Sequence, residues 1–180
     1  MHLRTRSIVA ATAATLAFAV LPASAASDFL LKIDGVEGES ALKGFEKQIE
    51  IESFSWGVSQ TSSGSGGARA GKSCPSDVSL SKHVDKATPP LIGRAAGGTV
   101  SPTAILIGLR PGGQTAPQVY LKIEMKDVLV SSYQSSGSSG GGAMDAFSLR
   151  FGSATITYFT QRDDGSSGPA PTTVATVQGC

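Results

Sequence analysis

An all-β fold with one short helix is the class this sequence predicts, and three observations predict it. Apolar residues recur with period two in several separate segments. Gly, Pro, Asn-free Ser clusters and Asp-Gly steps punctuate those segments at short intervals. A single stretch, near residue 90, carries start and stop signals for a helix. Six or more short strands with that spacing imply a β-barrel or sandwich.

Taken in order, the first strand is Phe29-Leu-Leu-Lys-Ile33, a short apolar run closed by the turn pair Asp34-Gly35. From Lys47 the chain alternates, with Ile49 and Ile51 opposed to Gln48, Glu50 and Glu52. Near Ser53 the parity flips, and Phe54, Trp56 and Val58 become the apolar set. One extra residue re-aims every later side chain, so the flip predicts a β-bulge. Gln60–Ser73 is a Ser/Gly-rich stretch with too little apolar surface to pack, and reads as an exposed loop. Alternation resumes over Asp77–His83 through Val78 and Leu80.

The helix is expected over residues 88–97. Thr88 can cap it, Pro89 suits the first turn, and Leu91, Ile92, Ala95 and Ala96 supply an apolar face. Gly97-Gly98 can close it in a left-handed turn. Strands follow at Ala104–Leu109 and, past the turn-rich Arg110–Pro117, at Gln118–Tyr133. In the second of these, Val119, Leu121, Ile123 and Met125 share one parity and Val128 and Val130 the other, which predicts another bulge or bend near Lys126. Ser135–Gly142 reads as a flexible tract, Phe147–Phe151 and Ala154–Thr160 as strands, and the polar stretch 162–180 as a mobile tail.

The first residues read as a leader rather than as fold. Arg4 and Arg6 precede the uncharged apolar run Ile8–Leu21, and Ala23-Ser24-Ala25 supplies a cleavage site. The run falls short of the roughly 20 residues that span a bilayer as a helix. The expected organisation is therefore a signal peptide at 1–25, a single domain at 26–161 and a tail at 162–180. Cleavage removes two of the 15 basic residues and none of the 14 acidic ones, leaving 13 against 14. A nearly neutral domain lacks the basic footprint of a nucleic-acid binder. The two cysteines, Cys74 and Cys180, enter an oxidising compartment, where they can bridge each other, pair between subunits or stay free.

Residues able to do chemistry are scarce. After cleavage His83 is the one histidine, so every Ser-His-Asp or Cys-His scheme must run through it, and it sits at a strand end without a nucleophile elbow. No C-x-x-C or H-x-x-x-H spacing exists for a metal. Glu37 and Glu39, or Glu50 and Glu52, read as solvated same-face neighbours. Gly66–Ser73 formally matches G-x-x-x-x-G-K-[ST], but Cys74-Pro75 and a strand follow where a phosphate-binding loop needs a helix. The expectation is no enzyme, no catalytic residue, no cofactor and no metal.

Several segments, in their order and spacing, resemble the Hcp (haemolysin-coregulated protein) family of type VI secretion systems. They are Phe29–Ser40, Phe54–Gln60, Ser79–Pro89 and Tyr120–Tyr133 with its Lys126-Asp-Val-Leu-Val-Ser-Ser132 core, followed by the Ser/Gly loop. Ala70-Gly-Lys72 also falls where that family carries a Gly-Lys step. The resemblance covers roughly Asp28–Gln161. It implies a β-barrel of two sheets with one short helix on its side, hexameric rings with a wide channel, and stacking of rings into the inner tube of a contractile machine. The partners implied are further copies of the chain, other type VI components and small effectors in the channel, with no nucleic acid and no stable membrane insertion. Two features depart from the family: the leader, and the C-terminal Thr172–Cys180, which lacks the family's aromatic Gly-Trp-like segment. The resemblance makes the Gln60–Ser73 loop the candidate for contact between rings and the strand edges the candidates within a ring. The rival readings are an exported ring or binding module working outside such a machine, periplasmic or extracellular, and a hydrolase using His83.

Overall fold

The computed structural model describes residues 29–60, 73–112, 115–160, 162, 168 and 173–178. The expected leader at 1–25 and nearly all of the expected Gln60–Ser73 loop therefore lie outside the described residues. The elements are β1 (Phe29–Ile33), β2 (Ile49–Ile51), β3 (Ser53–Ser55), β4 (Val58–Gln60), β5 (Ser73–Pro75), β6 (Val78–His83), α1 (Thr88–Gly97), β7 (Val100–Gly112), β8 (Thr115–Ser138), β9 (Gly142–Arg150), β10 (Ser153–Tyr158) and β11 (Thr173–Gln178). In the larger sheet the strands run β2-β1-β7-β8-β9-β6-β3, with β10 joined to β8 and β11 to β10. All described pairings are antiparallel. β4 and β5 form a separate two-stranded ribbon.

The expected parity flip near Ser53 is present and closes the barrel. Ile49 and Ile51 are buried, Glu52 and Ser53 are exposed, and Phe54 and Trp56 turn half-buried onto the core. At the flip β2 leaves its pairing with β1 and β3 takes up pairing with β6, while the Glu52 amide donates to the Ser81 carbonyl. The two ends of the strand order are thus one continuous stretch of chain. Phe29 and Phe54 pack edge to face across this seam, 4.9 Å apart. Val58, expected with the apolar set, is exposed instead, because the chain has by then left the barrel for the ribbon.

The second parity change falls at Asp127, whose φ is +54°. A left-handed non-glycine residue is uncommon, and Asp tolerates it better than most. Ile123 and Met125 are buried before it, and Val128 and Val130 after it. One edge of β8 keeps β7 as partner through Lys126 and Val128, but the other edge switches. Residues 121–126 pair with β10, and residues 129–138 pair with β9. The corner between β9 and β10 lies opposite, where the Gly152 amide donates to the Lys126 carbonyl. One 24-residue strand therefore serves β10 along its first part and β9 along its second.

β1 explains why its run is continuous rather than alternating. Leu31 and Ile33 face the barrel core, while Leu30 faces a second cluster with Ile107 and Leu109. The β1–β2 connection folds over that outer face and brings Leu42 and Phe45 onto it. The connection holds itself by Gly38 N–H to Lys47 O, Ser40 N–H to Gln48 O and Lys47 N–H to Ser40 O bonds. Gly38 is required there: a Cβ would lie 2.2 Å from the Gln48 carbonyl oxygen.

Helix α1 lies within the expected residues and packs against β8, with Leu91 and Ala95 toward the core. Ile92 and Ala96 are exposed, since the inward stripe is the one carrying Leu91 and its i+4 neighbour. Gly98 ends the helix with φ +61°, and its amide and that of Thr99 return to the Arg94 carbonyl. The N-cap is Ala87 rather than Thr88, whose hydroxyl is drawn into a buried polar cluster. Arg94 pins the helix end by donating to the Asp34 carbonyl at 2.9 Å and to Ser101 Oγ at 2.7 Å.

Strand lengths differ from expectation at three places. β7 and β8 run further into Arg110–Pro117, and β8 and β9 extend into Ser135–Gly142, because ladder pairing overrides weak side-chain propensity. Within the segment expected to be a tail, Thr173–Gln178 pairs with β10 over six positions. Its Thr-Val-Ala-Thr-Val composition suits a strand, a signal that the surrounding Gly, Pro and Ser obscure.

Gly38→Ala should lower unfolding free energy by about 1–3 kcal/mol through that backbone overlap, whereas Gly57→Ala, with open space around its Cβ, should stay near wild type. Chemical denaturation of both variants checks the difference.

Candidate assembly surfaces and the buried charge cluster

The β4–β5 ribbon is the element that the barrel does least to hold. Val58 pairs with Pro75, Ser59 with Cys74 and Gln60 with Ser73, all outside the larger sheet. Val58, Ser59 and Gln60 are exposed, Val58 by 47 %. The ribbon is fixed at its root, where the Ser76 amide donates to the Gly57 carbonyl and the Gly57 amide to Ser76 Oγ. It forms the stem of the 61–72 loop, so the segment singled out for contact between rings stands on a two-stranded arm. Cys74, on that arm, is disulfide-bonded. Further exposed apolar groups are Val84, Ile92, Val100 and Tyr158.

The residues considered for chemistry are spread apart. His83 is exposed and lies 3.6 Å from Glu52 across the barrel seam. Glu37 meets Lys47 at 3.0 Å and Lys86 at 3.5 Å, and the Lys47 bond holds its carboxyl below the usual range. Glu39 accepts from the Lys86 amide. These are solvated surface positions, as the spacing suggests. Among the described residues no group of three or more His, Cys, Asp or Glu is placed to hold a metal ion. No helix among them is long and apolar enough to cross a membrane.

What the sequence does not betray is a buried charge cluster between β6, β9 and the start of α1. Lys82 and Asp145 face each other across the β6–β9 ladder, with an Nζ–Oδ2 distance of 2.9 Å, and both side chains are 0 % exposed. Lys82 Nζ also donates to Asp85 Oδ1 at 2.6 Å, to Thr88 Oγ1 at 3.0 Å and to the His83 carbonyl at 2.9 Å. Asp145 accepts in addition from Thr88 Oγ1 and from Ser135 Oγ. Burial alone would raise the Asp145 pKa, but hydrogen bonds from Thr88, Ser135 and Lys82 outweigh it and hold the carboxyl at about 2. Burial, together with Asp145, pushes the Tyr133 phenol well above its ordinary value. Tyr133 stacks on the buried core residue Phe147, with ring centroids 6.1 Å apart.

Such a set could be mistaken for an active site. Its Lys and Asp have no exposed atom from which to reach a substrate, and each is committed to partners. The arrangement instead joins two strands and a helix through one sealed ion pair. It is invisible to pattern reading because Ser81-Lys82-His83 and Met144-Asp145-Ala146 look like ordinary strand ends.

Comparison with known proteins agrees with this architecture. Residues 30–158 match the family model described as "Type VI secretion system effector, Hcp". Protein hcp1 of Pseudomonas aeruginosa is 36 % identical over 149 residues, covering 81 % of this chain and 91 % of that one. A solved structure of a type six secretion system protein superposes with a TM-score of 0.77 at 28 % identity, covering 84 % of this chain and 94 % of the other. Hcp1 from Salmonella typhimurium superposes with a TM-score of 0.67 at 28 % identity, covering 84 % and 93 %.

Two outcomes follow for the cluster. Lys82→Met leaves Asp145 buried without its cation and should cost about 3–5 kcal/mol, while Lys82→Met with Asp145→Leu should recover most of it, as read by denaturation of the double-mutant cycle. The Asp145 pKa is depressed on folding, so its stabilisation is complete above the ordinary carboxylate pKa of 3.8 and is lost as pH falls toward 2. Asp145→Asn should flatten that acid limb, measured as stability between pH 6 and pH 2.

Proposed function

Because the chain belongs to the type VI secretion system Hcp family, we propose that it is a structural, non-enzymatic subunit that assembles with copies of itself into hexameric rings able to stack. The observation that carries this reading is the family match over residues 30–158, which spans the barrel from β1 to β10 without a break. Two features of the chain support it. The barrel's charged cluster is sealed inside, and a two-stranded arm with exposed Val58 extends outside the larger sheet. The arm and its 61–72 loop make the contact between rings, and strand edges make the contacts within a ring. Other type VI components and small effectors in the channel are the further partners.

The leader favours one version of this function. Basic start, apolar run and Ala23-Ser24-Ala25 direct the chain out of the cytoplasm, and a disulfide at Cys74 fits an oxidising compartment. The mature domain, beginning at Ala26, works as an exported ring in the periplasm or beyond the cell.

Light scattering on the purified mature protein should give the mass of six subunits, and negative-stain microscopy should show annular particles. A strict monomer at high concentration, without annuli, would sink the reading. Replacing residues 61–72 by a short Gly-Ser link should leave single rings and abolish stacks. N-terminal sequencing of the protein recovered from envelope fractions should begin at Ala26; retention of Met1 would remove the export claim while leaving assembly standing.

A further inference from the structure

Strand β8 outruns its neighbour. β7 begins at Val100, which pairs with Leu129, whereas β8 continues to Ser138. Over residues 132–138 the strand has β9 on one side, and among the described residues no strand pairs with it on the other. The direction of its backbone groups follows from β9. The Ala143 carbonyl accepts from the Val84 amide, so Ala143 turns its backbone groups away from β8, toward the β6 side. Backbone N–H and C=O groups alternate sides along a strand, and Gly137 lies opposite Ala143. Gln134 and Ser136 therefore bond to β9, while Tyr133, Ser135 and Gly137 direct their N–H and C=O groups into the lane that β7 leaves empty. That lane is open, since Ser132 and residues 134–138 are exposed. Edges of this kind are ordinarily guarded by charge, proline or a bulge. Residues 130–144 contain no charged residue and no proline, and the one register slip against β9, at Ser131, lies below the free stretch. Val100, at the head of the lane, is 56 % exposed.

We propose that residues 133–137 of β8 are the edge to which a strand from a second copy of this chain adds, in the lane of β7. The inference rests on the ring reading and narrows its within-ring contact to one edge. A ring of more than two copies needs two different surfaces in contact. The incoming strand therefore comes from another part of the neighbouring barrel, not from its own β8. Three outward residues, spaced about 7 Å apart, offer a donor and an acceptor each, which gives the added strand its affinity. The exposed Val100 side chain gives it an apolar contact where the lane begins. The same addition covers an edge that would otherwise be a hazard for unregulated pairing.

Gly137→Pro tests the edge, because it deletes an outward N–H and leaves the β9 bonds of Ser136 and Ser138 in place. Gly137→Ala is the control: its added Cβ meets the Ala143 Cβ at an ordinary 3.6 Å. Light scattering on the mature protein should show Gly137→Ala assembling like wild type, with Gly137→Pro needing at least about tenfold more protein to assemble. Hydrogen exchange gives a second measurement that needs no variant. In assembled wild type, the amides of Tyr133, Ser135 and Gly137 should exchange at least about tenfold more slowly than in dilute, dissociated protein. Those of Gln134 and Ser136, already bonded to β9, should change little. A Gly137→Pro chain that assembles as readily as wild type would overturn the proposal, as would unslowed exchange at the three amides in assembled protein. Either result is read on assembled material and leaves the ring standing, whereas a wild-type chain that stays monomeric removes the ring reading and this edge with it. If Gly137→Pro does not fold, the exchange measurement on wild type decides alone.

Discussion

The barrel depends on a backbone constraint: a strand can change the face it buries only by gaining one residue of phase. It happens at two places, Glu52–Ser53 and Asp127, and each does a different job. At the first, the chain hands itself from one end of the strand order to the other and closes the circle. At the second, the left-handed Asp127 lets β8 serve β10 along one half and β9 along the other. A straight, in-phase β8 would turn either Ile123 and Met125 or Val128 and Val130 toward solvent. Smaller adjustments follow the same logic. Ser131 is the extra residue where β8 slips against β9, and its hydroxyl is held by Asp77, which also receives Arg150. Gly108 leaves room for the Tyr120 ring where β8 slips against β7.

The sealed Lys82–Asp145 pair shows a second constraint. Taking both charges out of water is costly, and attraction between them alone does not repay it. The cluster is acceptable because almost every donor and acceptor around it finds a partner: Asp85, Thr88, Ser135 and the His83 carbonyl complete the set. The partners come from β6, α1 and the β8–β9 pair, so the register of all three must be right at once. A hydrophobic substitute could match its stability but would not select that register so narrowly.

Much of this was legible in the residues, and what was not has physical reasons. Both phase changes could be read because period-two alternation is unforgiving, and Ile49-Glu-Ile51 against Phe54-Ser-Trp56 leaves one interpretation. The helix could be read because Pro89 and Gly98 bracket it. The lid of Leu42 and Phe45 over β1 was not legible, since an irregular loop has no period to betray its apolar contacts. Strand β11 was hidden because its partner, not its flanks, decides its conformation. The buried Lys82 was hidden because charge ordinarily signals solvent. Of the assembly surfaces, the ordered family segments disclosed the family, while the two-stranded stem of the arm emerged only from the Ser59–Cys74 pairing.

The two-sided burial of β1 also bears on when the molecule can become itself. Leu30 and Leu31 need opposite faces covered, and β1's other neighbour is β7, whose matching residues Ala104–Gly108 emerge about 75 positions later in synthesis. Until then the opening strand has only the brief β2 to lie against. Such distant pairing makes for late, cooperative folding. A polypeptide whose first strand cannot be satisfied early stays incompletely folded until the chain through β7 is available.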